Sequence, residues 1–200
     1  VPRRVDHEER RRELTAALLR IASTRGLQAA SMREVAAEAG VSLRLVQYYV
    51  TDKRTLMASG LAELTARLDR RVRDRAAALG SGLPPRTVLE VVLGAILPTD
   101  DDSRADQLAW TAYYAAGLTD PANAVDGQYA PHALERWLTG VLTRAIEDGQ
   151  VSSDRDPRIE VVSLLALTNG LVSSVLGQQR TVEDALAVVR YRLDRLFPAS

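Results

Sequence analysis

The sequence predicts an all-α protein of about nine helices, a three-helix head followed by a roughly six-helix body. Three observations predict it. Apolar residues recur at spacings of three and four along nearly the whole chain, which is the helical period. Glycines, prolines and Ser/Thr/Asp caps cut those stripes into helix-length pieces, and no stretch alternates convincingly as a strand would. Finally, 200 residues at 46% hydrophobic content suffice for a sizeable core, as one helical unit or as a small domain on a larger one.

Val1 to Asp6 is expected to be a basic arm. His7 to Arg25 then reads as the first helix, with Leu14, Ala17, Leu18 and Ile21 on one face and Gly26 as its stop. Leu27 is placed to plug the small core beneath. Ser31 and Glu34 make an S-x-x-E capping box, Val35, Ala36 and Ala39 form a short apolar stripe, and Gly40 is a left-handed C-terminal stop. Ser42 caps a further helix in which Leu43, Leu45, Val46 and Val50 are apolar while Arg44, Gln47 and Tyr48 project polar groups. Helix, glycine turn and helix make a helix-turn-helix.

The run from Ala39 to Lys53, A-G-V-S-L-R-L-V-Q-Y-Y-V-T-D-K, resembles the DNA-binding segment of TetR-type transcriptional regulators. Ala39, Gly40, Val41, Ser42, Tyr49 and Lys53 carry the match. Arg44, Gln47 and Val50 depart from it, standing where glycine, an aromatic or histidine, and phenylalanine are common. Val50 keeps an apolar slot, so the departures bear on the base sequence read rather than on the fold. The resemblance implies double-stranded DNA as partner, and a division into a helix-turn-helix DNA-binding domain over residues 1–53 and a helical effector-binding and dimerisation domain over 54–200. Arg44 suits guanine through two hydrogen bonds and Gln47 suits adenine. Ser42, Tyr48, Tyr49 and Lys53 suit phosphate, Arg33 suits backbone or base, and Leu43 lies at the same helix start. Tyr49 could equally pack inside the head, and Arg3 and Arg4 of the arm could reach phosphate or a minor groove.

Asp52 is an N-cap for a long helix through Leu56, Met57, Leu61, Leu64, Leu68 and Val72 to Leu79, interrupted only by Gly60. The cluster Arg67, Arg70, Arg71, Arg73 and Arg75 reads as a solvated face. After Gly80 to Pro85, Thr87 to Leu97 is apolar nearly all round and is expected to be buried. Pro98 stops it, and Asp100 to Asp102 open the next helix, where negative charge suits the N-terminal dipole better than it suits a metal site. Gln107 to Asp120 concentrates aromatics: Trp110, Tyr113 and Tyr114 share a face with Gln107 and Gly117. That face is either core or the wall of a ligand cavity. W-T-A-Y-Y-A-A-G-L-T-D-P also resembles the effector domain of the BetI-type subset of the same family. Trp137 and Asn169 complete the ligand-binding candidates.

Pro121 to Pro131 reads as a loop and His132 to Asp148 as a helix closed by Gly149. Ile159 to Leu176 and Val182 to Phe197 are the last two helices, parted at Gly177 to Thr181. The first is apolar on more sides than one partner can cover, and Gly170, Ser173 and Ser174 permit close approach. Both are expected to pair with their copies in a homodimer, as the resemblance also implies.

Zero net charge hides an asymmetry: Val1 to Leu56 holds 11 Lys+Arg against 7 Asp+Glu, and the remainder 15 against 19. The basic end is compatible with DNA. With no cysteine there is no disulfide framework or thiolate metal site, and a cytoplasmic setting is expected. No run of 18 apolar residues and no signal-peptide pattern is found, so no membrane span is expected. His132 has no triad partner at a recognisable spacing, and H-E-x-x-H, glycine-rich phosphate loops and nucleophile elbows are missing, so neither an enzyme nor a cofactor is expected. The functional expectation is a regulator, in keeping with the family a repressor, released from a palindromic operator by a small-molecule effector. The alternative is a ligand-independent DNA-binding or scaffolding dimer.

Overall fold

A computed structural model describes residues 2–119 and 129–198, and in them the chain is all-α. The helices are α1 (Pro2–Arg25), α2 (Met32–Glu38), α3 (Leu43–Tyr49), α4 (Lys53–Leu79), α5 (Pro85–Ile96), α6 (Asp101–Thr119), α7 (Tyr129–Glu147), α8 (Pro157–Leu176) and α9 (Val182–Leu196), with a 3-10 turn at Leu27–Ala29. They form two compact units. The first takes Val1–Ala66 and the described part of Ala105–Gln128; the second takes Arg67–Arg104 and Tyr129–Ser200.

The first unit is built on Leu14, Leu18 and Ile21 of α1, which are fully buried with Val35 of α2 and Val46 of α3. Leu27 joins this core from the 3-10 turn. Two further pieces complete it: Leu56, Met57 and Leu64 from α4, and Ala109 and Tyr113 from α6. The Tyr113 hydroxyl donates to the Met57 carbonyl at 3.0 Å. Gly60 makes room for that ring, since a Cβ there would lie 2.1 Å from the hydroxyl and 2.9 Å from Leu18 Cδ2. The first compact unit therefore extends beyond residue 53, into both the start of α4 and the later part of α6.

Helix α1 begins at Pro2, where the sequence suggested an arm as far as Asp6. Proline is pre-organised for the first helical position and no breaker follows it before Gly26. The side chains of Arg3 and Arg4 lie outside the described ones.

In the second unit Leu89, Leu93 and Leu97 pack with Leu138 and Leu142 of α7, Leu164 of α8 and Leu193 of α9. Leu68 and Val72 bring the second half of α4 to the same core. Arg75, expected on a solvated face, donates from Nη2 to Thr99 Oγ1 at 2.7 Å. Asp100 caps α6: the Ser103 amide donates to Asp100 Oδ1 at 2.7 Å, and the Asp100 amide to Ser103 Oγ at 3.0 Å. The expected loop over 121–131 lies outside the described residues as far as 128, and α7 has already begun at Tyr129.

Helix α8 is long and apolar enough to cross a membrane by length and composition, although no unbroken run of 18 apolar residues exists. Packing accounts for this. One side carries Val161, Leu164, Leu171 and Val172 into the core, with Glu160 and Thr168 buried among them. Glu160 is held by Arg155 at 2.8 Å and Arg192 at 3.3 Å, and the Thr168 hydroxyl by the Leu164 carbonyl at 2.8 Å. The opposite side is exposed yet uncharged: Ile159, Val162, Ser163, Ala166, Asn169, Gly170 and Ser173.

Candidate nucleic-acid interface

Two short helices and the turn between them make the candidate interface, and each boundary has a visible cause. The Ser31 hydroxyl accepts from the Glu34 amide at 3.1 Å and starts α2. It ends in a Schellman motif: the Val41 amide donates to the Ala36 carbonyl at 2.9 Å and the Gly40 amide to Ala37 at 3.1 Å, with Gly40 at φ 67°. Two residues later Ser42 Oγ accepts from the Leu45 amide at 3.2 Å and starts α3. Val46 is the buried anchor of α3, and Val50, extended at φ −130°, turns the chain toward α4. There Asp52 Oδ1 accepts from the Thr55 amide at 2.7 Å. That bond holds the Asp52 carboxyl below its usual range.

Anchoring α3 by Val46 turns its other side outward. Ser42, Arg44, Gln47 and Tyr48 are exposed, as are Arg33 on α2 and Lys53 at the first position of α4. Leu43 and Tyr49 are half-buried against the core, so for Tyr49 the packed reading holds for the ring. The acidic residues of α2 are engaged elsewhere: Glu38 with Arg20 at 2.8 Å and Glu34 with Arg25 at 3.0 Å. Such exposed pairs add little stability. They do leave Arg33, Arg44 and Lys53 without an ion-pair partner among the described residues, each in the first turn of its helix, α2, α3 and α4.

Sequence reasoning missed two neighbours of α3. His7 of α1 stands edge-on to Tyr49, centroids 4.8 Å apart, and 5.6 Å from Tyr48. One turn on, Arg11 Nε donates to the Tyr49 carbonyl at 3.2 Å. The signal available was spacing: His7, Arg11 and Thr15 form an i, i+4, i+8 row beside the buried stripe, and Thr15 Oγ1 lies 3.0 Å from Ser59 Oγ of α4.

The ligand-binding candidates divide between the units. Gln107, Trp110, Tyr113 and Tyr114 belong to the first, Trp137 and Asn169 to the second. Tyr113 is buried and its hydroxyl is committed to Met57, while burial pushes its phenol well above the ordinary range. Gln107 and Trp110 are half-buried; Tyr114, Trp137 and Asn169 are exposed.

Comparison with known proteins agrees with this geometry. Residues 14–59 match the profile of bacterial regulatory proteins of the tetR family, and residues 85–198 that of the BetI-type transcriptional repressor C-terminal domain. The HTH-type transcriptional regulator PksA of Bacillus subtilis (strain 168) is 28% identical over 190 residues, spanning 93% of this chain and 88% of its own. A crystal structure of a Rhodococcus sp. protein assigned to the TetR family superposes with a TM-score of 0.86 at 25% identity, covering 94% of this chain and 99% of that one. A regulator from Saccharomonospora viridis, crystallised with choline, shares the fold at 21% identity and a TM-score of 0.79, covering 94% and 96%. Capped helix-turn-helix, all-α architecture and a matching profile over each end of the chain lead to one assignment: the protein belongs to the TetR family, DNA-binding transcriptional regulators rather than enzymes, with a C-terminal region of the BetI type.

Proposed function

We propose that the protein is a homodimeric repressor that reads a palindromic operator through α3 and is released from it by a small-molecule effector. The observation that carries the DNA reading is the exposed row Ser42, Arg44, Gln47 and Tyr48 on a helix anchored by Val46, beside the unpaired Arg33 and Lys53. Arg44 and Gln47 address bases, with Leu43 beside them at the start of α3. Ser42, Tyr48, Tyr49 and Lys53 hold phosphate, and Arg33 reaches backbone or base. Ser42 uses an oxygen lone pair for its cap, so its hydroxyl proton remains free to donate.

The dimer reading rests on the uncharged outer side of α8, where Ile159 is 63% and Val162 41% exposed, and on Tyr191 of α9, 59% exposed. An apolar surface of this kind is characteristic of an interface. In a dimer the two copies of α3 would meet successive major-groove faces about 34–36 Å apart. The effector reading rests on the aromatic segment of α6, with Gln107, Trp110, Tyr113 and Tyr114 as the first residues to vary and Trp137 and Asn169 after them. The effector must bind the released form more tightly than the DNA-bound one, and DNA must then weaken the effector equally. The S. viridis protein of the same fold was crystallised with choline, which makes quaternary amines a reasonable first class to screen.

Selection of bound sequences from random duplex DNA, repeated with Arg44→Ala, tests the DNA reading. The expected result is a palindrome whose guanine preference relaxes in the variant, with about 1–3 kcal/mol lost at that base. Recovery of no sequence at low salt would defeat it.

A further inference from the structure

Helix α3 has seven residues, and its last two are tyrosines with no further helical turn beyond them. At Val50 the backbone is already extended, so no following turn covers the two rings, and α3 itself excludes only the well that would drive a ring into its preceding turn. Tyr48 is 66% exposed, too open to be fixed by burial. What meets both rings is His7 of α1. The three rings form a closed set: His7 to Tyr49 4.8 Å at an interplanar angle of 62°, His7 to Tyr48 5.6 Å at 40°, and Tyr48 to Tyr49 5.0 Å at 89°. The His7–Tyr49 and Tyr48–Tyr49 contacts are edge-to-face, attractive because a ring's positive edge meets its neighbour's negative face, and His7 meets Tyr48 in a tilted contact. The backbone beneath is tied down from the same helix by the bond from Arg11 Nε to the Tyr49 carbonyl.

We propose that His7 is a positioning residue of the DNA interface: it braces Tyr48 and Tyr49 at the end of α3 so that their hydroxyls are already directed at phosphate before DNA arrives. The inference rests on the reading of those two tyrosines as phosphate contacts. A tyrosine without the brace divides between the two staggered wells about its first side-chain bond that a helix allows, of which one serves. Losing the brace therefore costs roughly twofold in affinity for one tyrosine and up to about fourfold for two. The brace also brings α1 into DNA recognition through a residue that need not touch DNA.

The test measures affinity for the selected operator duplex by fluorescence anisotropy, with the thermal melt of each protein followed by circular dichroism. His7→Ala is expected to weaken binding about two- to fourfold with the melt unmoved, and His7→Phe, which keeps a ring at the same place, to restore it. Tyr48→Phe and Tyr49→Phe are each expected to weaken binding, and to cost less when His7 is already alanine, because brace and hydroxyl act as one unit. Undiminished binding by His7→Ala, with the tyrosine variants weakened, would overturn the brace and leave the phosphate reading standing. So would His7→Phe binding as weakly as His7→Ala, because the imidazole would then be a direct contact. If neither tyrosine variant weakens binding, the phosphate reading fails and the brace with it.

Discussion

Gln178 carries the turn between α8 and α9 at φ 59°, a left-handed conformation that suits glycine, while its neighbour Gly177 sits at φ −80°. The Gln178 amide donates to the Val175 carbonyl at 3.1 Å and the Gln179 amide to Ser174 at 2.9 Å, so α8 too has a Schellman end, with its left-handed residue one position later than the sequence suggests. Gln178→Gly is expected to raise stability by roughly 0.5–1 kcal/mol, read as a higher urea midpoint at unchanged slope. Gly40, by contrast, was legible, because it stands between two cap signals that leave one register. Asp52 and Asp100 each add a pH-dependent contribution to stability. Hydrogen bonds from Thr55 and Ser103 respectively lower both carboxyls in the folded state. Their stabilisation is therefore complete above the unfolded value near pH 4 and disappears as pH falls through the lower folded value. A pH series of melts should show a loss below about pH 4 that is smaller in Asp100→Asn; an identical loss in the variant would contradict the role given to that cap.

Among the elements, α6 is the one whose place the sequence conceals. Its aromatic face reads equally as core or cavity wall, and Tyr113 turns out to fill the notch at Gly60 on α4. The reason is that a helical pattern reveals a buried face but not which neighbour buries it, whereas the matching gap is a single glycine 53 positions earlier in the chain. Gly60→Ala is expected to destabilise the protein by about 1–3 kcal/mol through overpacking, even though alanine favours a helix more. Adding Tyr113→Phe, which removes the oxygen closest to the new Cβ, should recover part of the loss in denaturant unfolding. Equal instability of the single and double variants would contradict the notch. Helices α2, α3 and α9 were readable because their caps are local: Ser31 and Ser42 cap as their spacing requires and the box of Thr181 with Asp184 closes on both sides. The expected box of Ser31 with Glu34 is half formed, the Ser31 amide donating to Ala29 and the Glu34 carboxylate pairing with Arg25. The start of α1 was not, since six basic, acidic and apolar residues carry no periodic stripe.

On the scale of the whole molecule, the function proposed depends on two copies of α3 acting together. A single α3 offers few base contacts, while linking two multiplies affinity without adding any new contact. Ala166 lies in the middle of the uncharged outer row of α8. Ala166→Arg is expected to give a monomer in light scattering and to weaken operator binding by about a hundredfold or more. The order of helices and the extent of the head motif were visible in the sequence, because helix signals are local. Of the candidate effector residues, Trp137 and Asn169 stand exposed on this chain, a position that residue type does not reveal.

The most direct test of the account is to titrate the protein against its selected operator and against the same operator with the half-sites moved apart by about five base pairs, half a helical turn. Half-sites moved by half a turn lie on opposite sides of the duplex, so a dimer that reads them as a pair should bind the spaced operator at least about a hundredfold more weakly. Equal affinity for both duplexes would contradict the paired reading and leave the protein a regulator that binds each half-site alone.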